Sequence, residues 1–288
     1  MNRNSGSSKK SQWHNLWVRL KRNKAAMAGL AILSLLFLTA LFAPVIAPYH
    51  YDEQNLAIAN QYPNSAHWLG TDNFGRDILS RLIYGSRISL QVGFIAVGIG
   101  AFVGGTLGAF AAFYGGALDN VIMRGIDILL AVPSILLAIS ISAALGPGLL
   151  NAMIAVGLGS VPNYARIVRA SVLTVKEQEY IEAARCIGMN DLSIIIHHII
   201  PNSMAPIIVQ ATLGVASAIL SAAALSFIGL GIQPPVPEWG AMLSAGRSYI
   251  RDFWPIVTFP GLAIMITIFA LNLFGDGLRD ALDPRLKR

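Results

Sequence analysis

Three glutamates, Glu177, Glu179 and Glu182, a lone cysteine, Cys186, and two adjacent histidines, His197 and His198, crowd into one polar stretch of a strongly apolar chain. The adjacent His197 and His198 suggest a metal, but successive helical residues point about 100° apart, whereas a zinc-gripping pair sits at i, i+4. One cysteine also forbids an internal disulfide or a four-thiolate site, so Cys186 reads as a small inert residue. No GxxxxGK followed by Ser or Thr occurs, so the chain lacks a phosphate-cradling loop and is not expected to hydrolyse ATP or to be an enzyme. The other ionisable candidate is Asp127, in an apolar run three residues after Arg124. An acid at membrane depth is a candidate proton relay. A cation at i−3 favours instead a packing or gating ion pair along one helix face.

Membrane spans must position these groups. The 288 residues are 55% hydrophobic and 12% charged, with a mean hydropathy of +0.59, too few polar groups to cover a soluble globule. Met27–Ile46 is long enough to cross a bilayer and follows a polar, basic tail, residues 1–26, so it reads as an uncleaved first helix. Ile88–Tyr114 is a second span, with Gly100, Gly104 and Gly108 on one face that another helix can approach closely. Ile128–Ala165 is broken by Gly146-Pro147-Gly148 into two spans, and Pro206–Ile228 and Trp254–Phe274 bring the count to six. An even count puts both termini on one side. That side carries sixteen Lys and Arg residues against five on the other, which assigns it to the cytoplasm and explains the net charge of +6 without nucleic acid.

Between the fourth and fifth spans, Tyr180–Asn202 reads as two short amphipathic helices. Tyr180, Ala184 and Ile187 share one face, and Gly188 ends the first helix. Asn190 or Asp191 caps a second, in which Leu192, Ile195, Ile196 and Ile199 share a face, and Pro201 closes it. Helices this short need their apolar faces buried, beneath their own spans, in the lipid interface or on a protein. The glutamates would meet an anionic inner leaflet, so a protein partner fits better. On the opposite side, His67–Arg87 reads as a turn and short helix with Asp77 and Arg81 at i, i+4. Pro237–Trp254 reads as an external loop anchored at the interface by Trp239 and Trp254.

"EAARCIG" followed by "IIPN" resembles the EAA loop of ABC importer permeases: Glu182, Ala183 and Ala184, then Gly188, and Pro201 after a fixed gap. His198 stands where the general pattern has isoleucine, and Ile200 where it has leucine. The resemblance implies that residues 176–202, from Tyr180 onward, couple to a groove of a cytoplasmic ATPase. "HWLGTDNFGRDILSRLIYGSRISL", "PPVPEWGAML" and "NLFGDGLRDALDPRLKR" are similar to the C-type permease subunit of dipeptide, oligopeptide and nickel importers, so the likeness runs from Trp17 onward. It implies an all-α type I ABC importer permease fold: a first helix and external segment, 27–87, a core domain, 88–276, and a cytoplasmic tail, 277–288. It also implies a heterodimer with a B-type permease, two ATPase chains that hold the ATP and Mg, an external binding protein, and no cofactor in this chain. The implied cargo is a dipeptide or oligopeptide, with nickel complexes or glutathione as alternatives. Two rivals from other classes stand beside it: a proton-coupled secondary transporter using Asp127, and a structural scaffold. The glycine face is expected to be a seam for packing or sliding, with static packing favoured.

Overall fold

The structure is a computed structural model that describes residue 14 and residues 16–282; the remainder of both basic tails lies outside the described residues. Among these residues the chain is helical: α1 (residues 16–22), α2 (Lys24–Leu41), α3 (Ala43–Ile46), α4 (Ile78–Tyr114), α5 (Gly116–Leu130), α6 (Ser134–Leu145), α7 (Leu149–Lys176), α8 (Glu179–Cys186), α9 (Asp191–Ile194), α10 (Ile200–Phe227), α11 (Trp239–Gly246) and α12 (Pro255–Leu282). Four runs are long and apolar enough to cross a membrane: α2, α4, Asp191–Phe227 and α12. The pair α5 and α6 makes a fifth if its two bent halves count as one. The 28-residue α7, carrying Asn163, Arg166, Arg169 and Lys176, falls outside that count.

Several boundaries differ from those read in the sequence. The second span begins at Ile78, well before Ile88, because the Asp77 carboxylate accepts from the Ser80 amide at 2.7 Å and starts one unbroken helix through the expected external turn. Ile128 to the Gly-Pro-Gly turn is not straight. It turns by 89° at Ala131–Pro133, where Pro133 disfavours a helical conformation in the residue before it. The first span likewise breaks at Phe42, beside Pro44.

The centre of the fold is the contact between α4 and α7. A Cβ at Gly104 or Gly108 would run into the carbonyl of Val161 or Ala165, and one at Gly100 into the Ser160 hydroxyl. From α7, a Cβ on Gly157 would approach Ile99 Cβ to 2.8 Å. Backbones this close gain dispersion contacts and cannot be separated by even a methyl group. The α2 helix lies along α12, where a Cβ at Gly29 would come within 2.7 Å of the Ala270 carbonyl.

The other end of the molecule has a polar core. Arg76 Nε binds Asp72 Oδ2 at 2.7 Å, Arg81 Nε lies 3.6 Å from the same oxygen, and His67 Nδ1 is 3.0 Å from Asp77 Oδ1. The expected Asp77–Arg81 pair does not form: Asp77 caps α4, and Arg81 Nη1 donates to the carbonyls of Tyr51 and Pro235. Trp239 is not an interface anchor. It is 1% exposed, wedged against Gly85, and its indole N–H donates to the Leu82 carbonyl at 3.1 Å, whereas Trp254 is exposed. The neighbouring Glu238 is buried and accepts from the amides of Gly240 and Ala241, both at 2.8 Å, at the start of α11. Burial pushes its carboxyl above the ordinary range, against those two hydrogen bonds.

Candidate functional site

The polar segment after α7 folds as a hinge between α8 and the long helical run that becomes α10. Lys176 begins it by donating to the last turn of α4, at the Ala112 carbonyl, 3.1 Å away. Glu179 and Glu182 occupy the first turn of α8 and Arg185 its last, in agreement with the helix dipole. The helix closes in a Schellman arrangement: Met189 N donates to Ala184 O at 3.2 Å and Gly188 N to Arg185 O at 2.9 Å. Gly188 is left-handed at φ +82°, with open space where a Cβ would stand. Its glycine therefore answers to backbone conformation, not to crowding. Asn190 then caps α9, its Oδ1 accepting from Ser193 N at 2.8 Å.

The two ends of the second helix depart from expectation. Pro201 does not close it: α9 passes through a π turn, Ile195–Ile199, into α10, with Pro201 in the first turn. A proline ring collides with the carbonyl four residues back and offers no N–H; the wider turn just before it lets the helix continue. The same turn re-aims the side chains. Ile194, Ile195 and Ile199 are buried, while Leu192 and Ile196 are exposed.

In α8, Ile181 and Ala184 point inward, and Tyr180 and Ile187 do not. The inward set packs on Ala109, Ala112 and Phe113 of α4 and on Val168 and Val172 of α7. Arg185 adds its guanidinium over the Phe113 ring, 5.2 Å from the centroid. One face of the segment is thus clamped to the helices that form the glycine seam.

The opposite face is open. Ile187 is 79% exposed and Leu192 57%, with Tyr180 and Ile196 also exposed, and Glu182, Ala183 and Gly188 lie among them. This face combines apolar knobs with carboxylates. The candidate coupling residues therefore divide: Ala184 faces inward, and Tyr180, Glu182, Ala183, Gly188 and Pro201 are exposed. His197 Nδ1 lies 3.1 Å from the Ser193 carbonyl of its own helix, and the described residues contain no group of three or more His, Cys, Asp or Glu that could hold a metal.

Asp127 does not pair with Arg124. It binds Arg166 of α7 at 2.6 Å, and a second contact, unforeseen in the sequence, joins Asp119 to Arg169 through two bonds of 2.6 Å. The spacing held the signal: Arg166 and Arg169 share a face of α7, while Asp119 and Asp127 lie about two turns apart on α5. These pairs tie α5 to α7 beside the contact of Ile126 with Val161 and Ala165.

Residues 104–288 match the family model described as binding-protein-dependent transport system inner membrane component, and residues 11–63 match the N-terminal TM domain of oligopeptide transport permease C. The chain is 52% identical over 277 residues to the dipeptide transport system permease protein of Alkalihalophilus pseudofirmus, covering 96% of this chain and 91% of that one. It is 48% identical to the di/tripeptide transport system permease protein of Pseudomonas aeruginosa, over 94% and 91% of the two chains. To the glutathione transport system permease protein of Escherichia coli O157:H7 it is 47% identical, over 96% and 92%. Among solved structures, an inward-facing methionine ABC transporter chain aligns with a TM-score of 0.58 at 18% identity, over 72% of this chain and 98% of that one. An amino acid ABC transporter crystallised with histidines aligns at 0.53 and 17%. These two alignments show the type I ABC permease fold.

Proposed function

The chain belongs to the family of binding-protein-dependent transport system inner-membrane components, and from that premise we propose that it is the C-type permease subunit of an ATP-driven importer of dipeptides or oligopeptides. The observation that carries this reading is the two-faced segment at α8 and α9. Its inner face is fixed to α4 and α7, while its outer face leaves Tyr180, Ile187, Leu192 and Ile196 uncovered. A soluble surface has no use for such a patch, and an anionic leaflet disfavours Glu179 and Glu182 beside it. An ATPase groove would bury the apolar side chains and meet the carboxylates with cations.

The topology belongs to the same reading. The chain crosses the inner membrane six times, through α2, α4, the bent pair α5 and α6, α7, α10 and α12, with both termini in the cytoplasm. The long contact of α7 along α4 supports counting α7 as a crossing despite its arginines. A B-type permease completes the pathway, and two ATPase chains and an external binding protein complete the assembly. ATP and Mg are held by the ATPases.

When the ATPases close on ATP, α8 and α9 move with the groove that holds them. The inner clamp passes that displacement to α4 and α7 as one body, because their seam has no room to slip. A swing of the pathway from 1:99 to 99:1 requires ATP to favour the outward-open state by about 5.5 kcal/mol. Uptake of a labelled dipeptide into proteoliposomes holding the whole assembly tests the reading. It is expected only with ATP, Mg and the binding protein. Uptake by this chain alone on a pH gradient would support the secondary-transporter rival.

Glutathione is the second reading for the cargo, favoured by the 47% identity to a glutathione system permease over nearly the whole chain. Mass spectrometry of what the co-purified binding protein carries separates the two.

A further inference from the structure

Two cavities meet between α7 and α10. The smaller, about 110 Å³, is lined by Ser160 and Asn163 of α7 and by Gln210, Ser217 and Ser221 of α10. The larger, about 760 Å³, lies toward the coupling segment and is lined by Ser171 and Thr174 of α7, Asn202 and Ser203 of α10, and Arg279 of α12, with Gln210 again on its edge. At 100° per residue, Ser203, Gln210, Gly214, Ser217 and Ser221 fall on one stripe of α10, and Ser160, Asn163, Ser171 and Thr174 on one stripe of α7. Polar stripes on membrane-depth helices line water or protein, not lipid. Ser203 agrees: it is 1% exposed, lines the larger cavity, and its hydroxyl has no hydrogen-bond partner among the described residues.

Tyr164 lines the smaller cavity, its hydroxyl 3.4 Å from the Gln210 carbonyl and over Gly214, where a Cβ would collide with it. Gln210 lines both spaces. No Asp, Glu, Lys, Arg or His lines the smaller cavity among the described residues. A short peptide carries an ammonium at one end and a carboxylate at the other, so a charged wall would hold one end and repel the other. Amide and hydroxyl groups offer each end, and the peptide bond between, exchangeable contacts weak enough to release.

We propose that these facing stripes of α7 and α10 are this chain's wall of the peptide passage, with Gln210, on the edge of both cavities, as the hydrogen-bonding point that cargo must pass without regard to side-chain charge. The inference rests on the importer reading above, and its test is built to fail separately. In the complete assembly, Asn163→Cys, Ser171→Cys and Ser217→Cys are exposed to a water-soluble, membrane-impermeant thiol reagent. Each site is read by peptide mass spectrometry against Phe102→Cys, at a 77% exposed position of α4. The three cysteines are expected to react about tenfold or more faster than Phe102→Cys, because a thiol in lipid is neither hydrated nor ionised. In uptake, Gln210→Glu is expected to slow a dipeptide of two acidic residues about tenfold more than dialanine, since a fixed like charge acts on one and not the other. Ser217→Asp repeats the charge test should the first variant fail to assemble.

Cysteines at 163, 171 and 217 as unreactive as one at 102, in an assembly whose wild type still imports dipeptide with ATP, overturn the passage alone. So does an equal slowing of both dipeptides by the added charge. Loss of ATP-driven uptake by the wild type overturns the importer reading itself.

Discussion

Gly188 holds a left-handed turn with nothing near its missing Cβ, so a substitution there is penalised through the backbone and not through a clash. Gly188→Val is expected to cost about 1–3 kcal/mol locally, while Gly188→Asn, which tolerates this region, costs less. The valine variant should insert normally and keep ATP hydrolysis while uptake falls well below the asparagine variant; equal uptake by the two would remove the turn from the coupling account. Asp127 offers a different contrast. Its pair with Arg166 is about half exposed, whereas Asp119 and Arg169 are more buried and doubly bonded. Asp127→Asn is therefore expected to change thermal stability by less than about 1 kcal/mol and to leave ATP-driven uptake near wild type, with Asp119→Asn the more harmful. Abolished uptake in Asp127→Asn alone would revive the proton-carrier rival. Glu238 gives a pH signature. Its carboxyl is raised by burial above the ordinary 4.5, so the folded chain holds that proton more tightly than the unfolded one. The contribution is fully present below the unfolded value and is lost as pH rises through the folded value. Wild type should therefore lose stability relative to Glu238→Gln as pH climbs above about 4.5, by at most about 1.4 kcal/mol per pH unit, in thermal melts of the purified chain. A difference independent of pH would contradict it.

At the scale of elements, the α4–α7 seam makes the strongest demand on sequence. Gly104→Ala places a methyl against the Val161 carbonyl and is expected to cost about 1–3 kcal/mol. Gly98→Ala, with nothing within 4 Å of the added carbon, should instead gain up to about 1 kcal/mol from helix propensity. Thermal melts of the two variants decide, and equal effects would mean the seam is not tightly packed. The same elements show what was legible. The Gly-Pro-Gly turn, the Asn190 cap and the three-glycine face are local or periodic patterns, and a chain without its fold still carries them. The π turn does not announce itself, because it arises where Pro201 meets a helix that tertiary contacts keep going. A period-3.6 reading groups Leu192 and Ile196 with Ile195 and Ile199, whereas the structure buries Ile194 with Ile195 and Ile199 and leaves Leu192 and Ile196 exposed. Trp239 reads as an interface anchor and Arg81 as the partner of Asp77 because the groups they bind, the carbonyls of Leu82, Tyr51 and Pro235, reach them only after folding. For the candidate site, the inner clamp on Phe113 and Val172 was likewise invisible in the segment's own residues.

In the proposed importer the whole molecule works as a chain of links: an outer face receives force, an inner clamp passes it to the α4–α7 seam, and a polar passage between α7 and α10 opens or closes with them. The outer face is its first link. Recovery of the ATPase chains with the purified permease assembly tests that link most directly, comparing wild type with Leu192→Asp and Ile187→Asp, both at exposed positions whose change leaves the inner clamp intact. Each buried aliphatic contact is worth about 1.5–3 kcal/mol, so ATPase recovery is expected to fall roughly tenfold or more in each variant while the B-type permease still co-purifies. Undiminished recovery of the ATPases in both variants would contradict the assignment of this face as their docking site.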